Sequence, residues 1–219
     1  MPRSVAAIDA LLRERHLLKH PFYVAWSAGE ITRDTLRSYA AQYYQFESNF
    51  PRYVARAYAH LTNPQERRSL LDNLVDEEGR SPTHPELWLD FARSLGASAR
   101  SVKAAAPLGA TRSLLQCYER FGALGPAPAL ASLYSYESIF PEVAAEKSRG
   151  LREQYGIRDP KAHEFFRVHT GADVEHSRAE RRILAAVMGR SPAAARDAWT
   201  AARGTMAAWW SFLDAFPRS

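Results

Sequence analysis

The chain has 219 residues, of which 46% are hydrophobic and 24% charged, and its formal net charge is +5. This length and composition fit one globular domain and exclude a disordered chain, and we expect folding to bury roughly 70% of the chain surface. Cys117 is the only cysteine, which excludes internal disulfides, zinc fingers and CxxC redox chemistry.

The basic residues are almost all Arg, because only four of the 29 are Lys. Acidic residues are interspersed among them, and no basic stripe with interleaved aromatic residues occurs, so we expect no nucleic-acid partner. No run of 18 apolar residues is present, which argues against a signal peptide and a membrane span. The expected location is therefore the cytoplasm.

Apolar residues recur at helical spacing along nearly the whole chain, and no segment alternates as a strand would. The first helix ends before His20-Pro21, because the residue before proline avoids helical geometry. Pro51 is expected to kink the second helix, and Thr83 with Glu86 forms a capping box for the fourth. The predicted helices begin at Ser4, Thr32, Pro64 and Thr83, and continue at 111–121, 126–147, 160–188 and 191–215.

No repeat, linker or shift in composition divides the chain. We therefore predict a single all-α domain over residues 1–219, a bundle of about seven to nine helices. Functional sites in such bundles are built from polar side chains that face inward from several helices.

The clearest polar pattern is His169-x3-Asp173-x2-His176. Offsets of four and seven residues place the three side chains on one helix face. A single histidine there would be an ordinary core residue. Two histidines and an aspartate on one buried face are costly without partners, so the spacing favours a metal site.

Three further residues are candidates on weaker grounds. Glu77 ends one predicted helix and His84 begins the next, but Pro82 separates them, so helical spacing alone does not bring them together. Glu137 lies among apolar and aromatic residues and needs a partner there, either a metal ion or an arginine.

If all six residues converge, three histidines and three carboxylates make a ligand set typical of a pair of iron or manganese ions. Zinc prefers fewer ligands, richer in nitrogen and sulfur. Three carboxylates against two divalent ions leave a net charge of about +1.

Together these motifs resemble the haem-oxygenase-like superfamily, and within it they are most similar to the CADD-type dimetal oxygenases, the para-aminobenzoate synthases related to the TenA and PqqC proteins. The resemblance spans about residues 15–190 and implies a haem-oxygenase-like bundle without implying haem. It is carried by His20-Pro21-Phe22, the tyrosine-rich run 39–46, the segments 73–78 and 84–88, and the spaced residues of helix 160–188.

The resemblance implies an oxygen-dependent enzyme with two first-row metal ions, Fe/Fe or Mn/Fe, that uses O2 and an external reductant. It also implies a homodimer and a place in folate biosynthesis. The metal ligands that it implies are Glu77, His84, Glu137, His169, Asp173 and His176.

In this family para-aminobenzoate is understood to come from a tyrosine of the protein itself, with a lysine as amino donor. The matching residues are Tyr23 and Lys147, while Tyr39, Tyr136 and Trp88 match aromatic residues that would relay electrons or radicals. From the residues alone, Tyr23 is an ordinary packed aromatic and Lys147 a charge near the end of a helix.

Two other functions remain open. A dimetal oxygenase acting on an external fatty acid or amino acid would use the same ligands, and a long apolar tunnel would distinguish it. A non-enzymatic interaction protein would expose an apolar patch, whereas the aromatic C-terminal segment 199–216 is expected to face the core.

A thiaminase-like enzyme would need a nucleophilic cysteine, and Cys117 has the setting of a packed thiol. The cofactor-free PqqC-like branch leaves the acidic residues unexplained.

Overall fold

The computed structural model describes residues 4–217, which contain helices and no strand. The all-α prediction is therefore confirmed. The helices are α1 (Val5–Glu14), a 3-10 turn (Leu17–Lys19), α2 (Pro21–Ala28), α3 (Arg33–Glu47), α4 (Phe50–His60), α5 (Pro64–Glu78), α6 (His84–Ser94), α7 (Ala99–Lys103), α8 (Gly109–Leu124), α9 (Pro126–Glu137), α10 (Phe140–Glu153), α11 (Pro160–Met188) and α12 (Pro192–Asp214).

The described residues form twelve α-helices, more than the seven to nine predicted. Two segments predicted as continuous helices are each broken, at residues 48–49 and at residues 138–139. Pro51 and Pro141 lie in the first turn of the helices that follow. Proline is favoured there because its missing N–H has no partner to lose, so these prolines start new helices instead of kinking old ones.

Helix ends follow the capping residues in the sequence. The Ser4 side chain accepts a hydrogen bond from the backbone of Ala7, and the capping box of Thr83 and Glu86 is present. α11 has the predicted bounds, and its N-terminus is capped by Asp159. These caps satisfy backbone N–H groups that the first turn of a helix leaves unpaired.

α9 lies at the centre of the molecule, and each of its residues from Ala127 to Glu137 is buried. It packs against α11 and α12, while α5, α6 and α10 also contact α11. Ser132 and Ser135 donate to backbone carbonyls one turn earlier, which satisfies their hydroxyls inside the core. One face of α11 is thus enclosed by four neighbouring helices.

The hydrophobic core runs from α1 to α12. Met206, Trp209 and Phe212 are buried in it, as expected for the aromatic C-terminal segment. Cys117 is a buried free thiol whose pKa is raised by burial, which suits a packed residue and not a nucleophile. Within residues 4–217, no helix combines the length and the apolar character needed to cross a bilayer.

Candidate metal centre

α11 presents a line of buried polar side chains toward its neighbours. His169, Asp173 and His176 lie on this face, and Glu180 extends the line by one more turn. Their spacing keeps them on the same side of the helix. Such a line inside an apolar core requires compensating partners.

The reversal between α5 and α6 brings Glu77 and His84 together. Both side chains are buried, and His84 Nδ1 lies 2.9 Å from Glu77 Oε2. Neither atom has a hydrogen-bond partner, although they are close. The turn at residues 79–83 therefore brings Glu77 and His84 together, which helical spacing alone could not predict.

Glu137 enters the same region from the last turn of α9. Asn73 Nδ2 donates to both of its carboxylate oxygens, at 2.9 and 3.2 Å. His176 Nδ1 lies 3.6 Å from Glu137 Oε1 and 3.9 Å from Asp173 Oδ1. The partner of Glu137 is therefore an asparagine beside a histidine, and not an arginine.

The potential ligand atoms form two groups, each with its atoms within 4.8 Å of one another. One group is Glu47, His84 and His169, and the other is Glu77, Glu137 and His176. Asp173 belongs to neither group, but it lies beside His176, and its Oδ2 is buried without a hydrogen-bond partner. The six residues proposed from the sequence thus lie in one region, joined by Glu47.

Hydrogen bonds fix the orientation of two histidines. His169 Nδ1 lies 2.7 Å from the carbonyl oxygen of Phe165, and His176 Nε2 lies 3.0 Å from Asp76 Oδ2. Because a backbone carbonyl and a carboxylate oxygen are hydrogen-bond acceptors, these nitrogens donate. In the neutral form of each ring the lone pair is then on Nε2 of His169 and on Nδ1 of His176, as in histidines that bind metal ions.

Five carboxylates are buried in this region: Glu47, Glu77, Glu137, Asp173 and Glu180. Among residues 4–217, none of them forms an ion pair with arginine. Burial, and then the neighbouring carboxylates, raise the pKa values of Glu47, Asp173 and Glu180. A bound cation would offset this cost and favour the ionised carboxylates.

Glu137 and His176 behave differently from the other groups. Burial favours neutral Glu137, but its neighbours Glu180, His176 and Asn73 lower its pKa. Burial also opposes the charge of His176, yet Glu137 and Asp76 raise its pKa to about 9. The mixture of imidazole and carboxylate donors fits first-row transition metals.

Lys147 lies next to this centre, in the middle of α10. The expectation that it is near a helix end is wrong, because α10 continues to Glu153. It is fully buried, and its Nζ has no hydrogen-bond partner. Burial lowers its pKa well below the ordinary value, against the opposing charge of Glu47, and so favours the unprotonated amine.

Six aromatic rings surround Lys147, and we call them the aromatic pocket. Their centroids lie 4.4 to 5.9 Å from Nζ. Nζ forms no hydrogen bond to them, although three of the rings carry phenol hydroxyls. The rings belong to Tyr23, Tyr39, Tyr43, Trp88, Phe140 and Phe166.

The tyrosines around the pocket are hydrogen-bonded in pairs. The hydroxyls of Tyr23 and Tyr39 are 3.0 Å apart, and that of Tyr43 is hydrogen-bonded to Tyr136. Trp88 stacks on Tyr43 with ring centroids 4.1 Å apart. Burial raises the pKa values of Tyr23, Tyr39 and Tyr136, so these phenols remain protonated near neutral pH.

Phe140 joins the aromatic pocket to the metal centre. Its ring lies 4.9 Å from Lys147 Nζ and 5.3 Å from the His169 ring. The two regions are therefore adjacent and share one wall.

A cleft of about 210 Å³ reaches the centre from the surface. Its walls include Arg80, His84, Val168 and Ala172. This cleft places the His84 side of the centre closest to solvent.

Sequence reasoning missed Glu47, Asp76 and Glu180 at this site. Glu47 follows Tyr43 by four residues, and Glu180 follows His176 by four. Helical spacing therefore carried a signal for both. Asp76 had no such signal, because its role depends on the contact between α5 and α11.

Comparison with known proteins decides the family. A family model described as iron-containing redox enzyme matches residues 37–210. The chain belongs to the family of iron-containing redox enzymes. The family assignment shows that the chain is an enzyme, and its type is that of the dimetal oxygenases.

Relatives of this iron-containing redox enzyme carry a more specific name. A 4-aminobenzoate synthase of Chlamydia muridarum is 39% identical over 81% of this chain and 75% of that protein. One of Nitrosomonas europaea is 38% identical over 94% of this chain and 88% of that protein.

A solved structure from Shewanella denitrificans, described as having a heme oxygenase-like fold, superimposes with a TM-score of 0.79 at 17% identity. The match covers 96% of this chain and 88% of that one. The predicted haem-oxygenase-like fold is therefore confirmed.

Proposed function

We propose that this enzyme makes para-aminobenzoate from its own Tyr23 side chain, with Lys147 as the amino donor. The observation that carries the proposal is the position of Lys147. Its fully buried amine lies 5.7 Å from the centre of the Tyr23 ring, directly beside the candidate metal centre.

The buried donors fit two metal ions, since unpartnered carboxylate and imidazole atoms face one another there. Fe/Fe and Mn/Fe are the proposed pairs, and when bound they would supply the redox chemistry that uses O2 and a reductant. The proposed ligands are Glu77, His84, Glu137, His169, Asp173 and His176.

The atoms of product and protein correspond directly. Para-aminobenzoate has a carboxyl and an amino group at opposite ends of a benzene ring, whereas tyrosine has Cβ and a hydroxyl there. Cβ of Tyr23 would therefore be oxidised with O2 to the carboxyl carbon as its bond to Cα breaks. Nζ of Lys147 would bond to the ring carbon in place of the phenol oxygen, which would leave as water, and the Cε–Nζ bond would then be cleaved with O2 as the oxidant. Each chain would react once, because both side chains are consumed.

The pocket prepares these two side chains for reaction. Burial lowers the pKa of Lys147 and so favours the form with a free lone pair, which is how lysine becomes a nucleophile. Tyr39 holds the phenol oxygen of Tyr23 by a hydrogen bond and so fixes the ring. Exclusion of water protects the reacting groups, since Tyr23 is only 2% exposed.

The remaining aromatic side chains would carry electrons between the centre and the pocket. Trp88 stacks on Tyr43, and Tyr43 is hydrogen-bonded to Tyr136. Proton and electron can move together along a hydrogen-bonded phenol pair. Tyr39, Tyr136 and Trp88 are therefore proposed as relay residues.

The test is product release without added aromatic substrate. Metal-loaded enzyme is given O2 and reductant, and para-aminobenzoate is measured by mass spectrometry. We expect no more than one product molecule per chain, and none from Tyr23→Phe, which cannot supply the same phenol. Undiminished product from that variant would exclude Tyr23 as the source.

The cytoplasmic location and the homodimer stay predictions. Cell fractionation tests the first, and sedimentation velocity of the purified enzyme tests the second.

A further inference from the structure

Glu47 is a buried carboxylate at the end of α3, with 2% exposure. Its Oε1 has no hydrogen-bond partner. A ligand atom of Glu47 lies within 4.8 Å of ligand atoms of both His84 and His169. Because the carbonyl oxygen of Phe165 engages Nδ1 of His169, Nε2 is the His169 nitrogen available to this group.

A purely structural carboxylate would need a compensating partner, and residues 4–217 supply no arginine ion pair to Glu47. Lys147 Nζ lacks any hydrogen-bond partner, so no hydrogen-bonded pair joins it to Glu47. Glu77 and Glu137 are further buried carboxylates of the same region. A carboxylate in this setting is costly until a cation binds.

We propose that Glu47 is a metal ligand, which together with His84 and His169 holds one of the two ions. The inference rests on the proposed function, since it requires the dimetal centre. Two imidazoles and one carboxylate form a donor set typical of non-haem Fe(II). The other ion is then held by Glu77, Glu137 and His176, with Asp173 beside them.

A fourth carboxylate changes the charge of the centre. Three carboxylates leave two divalent ions with a net charge of about +1, and Glu47 brings the total to about zero. A neutral centre is cheaper to bury than a charged one. Ligation by Glu47 would therefore neutralise the centre and give its unpartnered carboxylate a partner.

The experiment is anaerobic titration of metal-free full-length protein with Co(II), followed by calorimetry and visible absorption. Wild type is expected to bind two ions per chain. Glu47→Gln keeps the shape of the side chain but loses the charge, so one ion binds normally and the other at least about tenfold more weakly. Glu47→Asp keeps the charge but withdraws the carboxylate, and the same weakening is expected. Glu119→Gln, at a carboxylate paired with Arg56, is the matched control and binds two ions as wild type does.

Melting of the metal-free proteins separates this role from a structural one. As a ligand, Glu47→Gln leaves the metal-free melting temperature unchanged or higher and reduces the rise caused by Co(II). Two ions bound with wild-type affinity by Glu47→Gln, or by Glu47→Asp if the first variant does not fold, would overturn the assignment of Glu47 alone. Fewer than two ions bound by wild type would instead overturn the dimetal centre itself.

Discussion

The metal centre and the aromatic pocket are both buried and both leave ionisable groups without partners, but they do so in opposite ways. The centre gathers five carboxylates with few counter-charges. The pocket holds one amine among aromatic rings, without a hydrogen-bond partner. The first region therefore favours the binding of cations, and burial in the second favours the unprotonated amine.

Removing the amine has the largest expected effect, because it deletes a reacting atom. Lys147→Met should lower para-aminobenzoate formation at least about 100-fold while leaving metal binding intact. Product is measured by mass spectrometry and metal content by elemental analysis. Lys161→Met, at an exposed lysine, serves as the control. Product at wild-type level from Lys147→Met would remove the lysine from the chemistry.

Removing an imidazole from the centre should weaken metal binding and leave the aromatic pocket intact. His169→Ala is expected to weaken one of the two ions about 100-fold, while near-UV circular dichroism of the aromatic pocket stays the same. His163→Ala is a matched control, since His163 is a buried histidine of α11 that bonds to Ser148 and the Ile157 carbonyl. Equal metal affinities in the two variants would contradict the placement of the centre.

A smaller effect is expected at the residue that orients His176. Asp76 accepts a hydrogen bond from His176 and pairs with Arg80 at 2.6 Å. Asp76→Asn should weaken metal binding about tenfold, because the ring loses its charged acceptor. Calorimetry measures this, with Asp90→Asn as the control at a surface ion pair. Unchanged affinity would show that the bond is not needed for binding.

The smallest expected effect is a dependence of the free energy of unfolding on pH, caused by Lys147. Its pKa is lowered in the folded protein, while the unfolded chain keeps the ordinary value. Between these two values the unfolded state binds one more proton, so the free energy of unfolding rises with pH by about 1.4 kcal/mol per unit. The rise ends near the ordinary lysine pKa.

Urea unfolding of metal-free wild type and of Lys147→Met at several pH values isolates this contribution. The stability of wild type relative to the variant should increase between neutral pH and pH 10. Parallel curves for the two proteins would mean that Lys147 keeps its proton in the fold.

The polar face of α11 with His169, Asp173 and His176 could be predicted from the sequence, because the helix bounds and the spacing of these residues both depend only on neighbouring residues in the chain. Asp159 and Pro160 fix the start, and offsets of four and seven fix the face. The approach of Glu77 to His84 could not be predicted in the same way. It depends on a turn that breaks the helix between them.

For Glu47, helical spacing indicates the face of α3 on which it lies, but the sequence does not predict that this residue is buried. Tyr39, Tyr43 and Phe46 give α3 an apolar face, and a glutamate beside that face is ordinarily solvated. Only the packing of α3 against α6 and the nearness of Glu47 to His84 and His169 reveal that it is buried beside two histidines. Lys147 was named through the family resemblance, but its burial was not foreseen, because the predicted helix ended at this residue whereas α10 continues to Glu153.

Intact-mass analysis tests the central claim most directly. Enzyme loaded with metal without oxygen is exposed to O2 and reductant, and the protein and the released small molecules are then weighed and the peptides mapped. The account predicts free para-aminobenzoate together with loss of the side chain from the peptide that contains Tyr23. An unchanged protein mass after confirmed para-aminobenzoate formation would contradict it, since the ring would then have come from an external substrate.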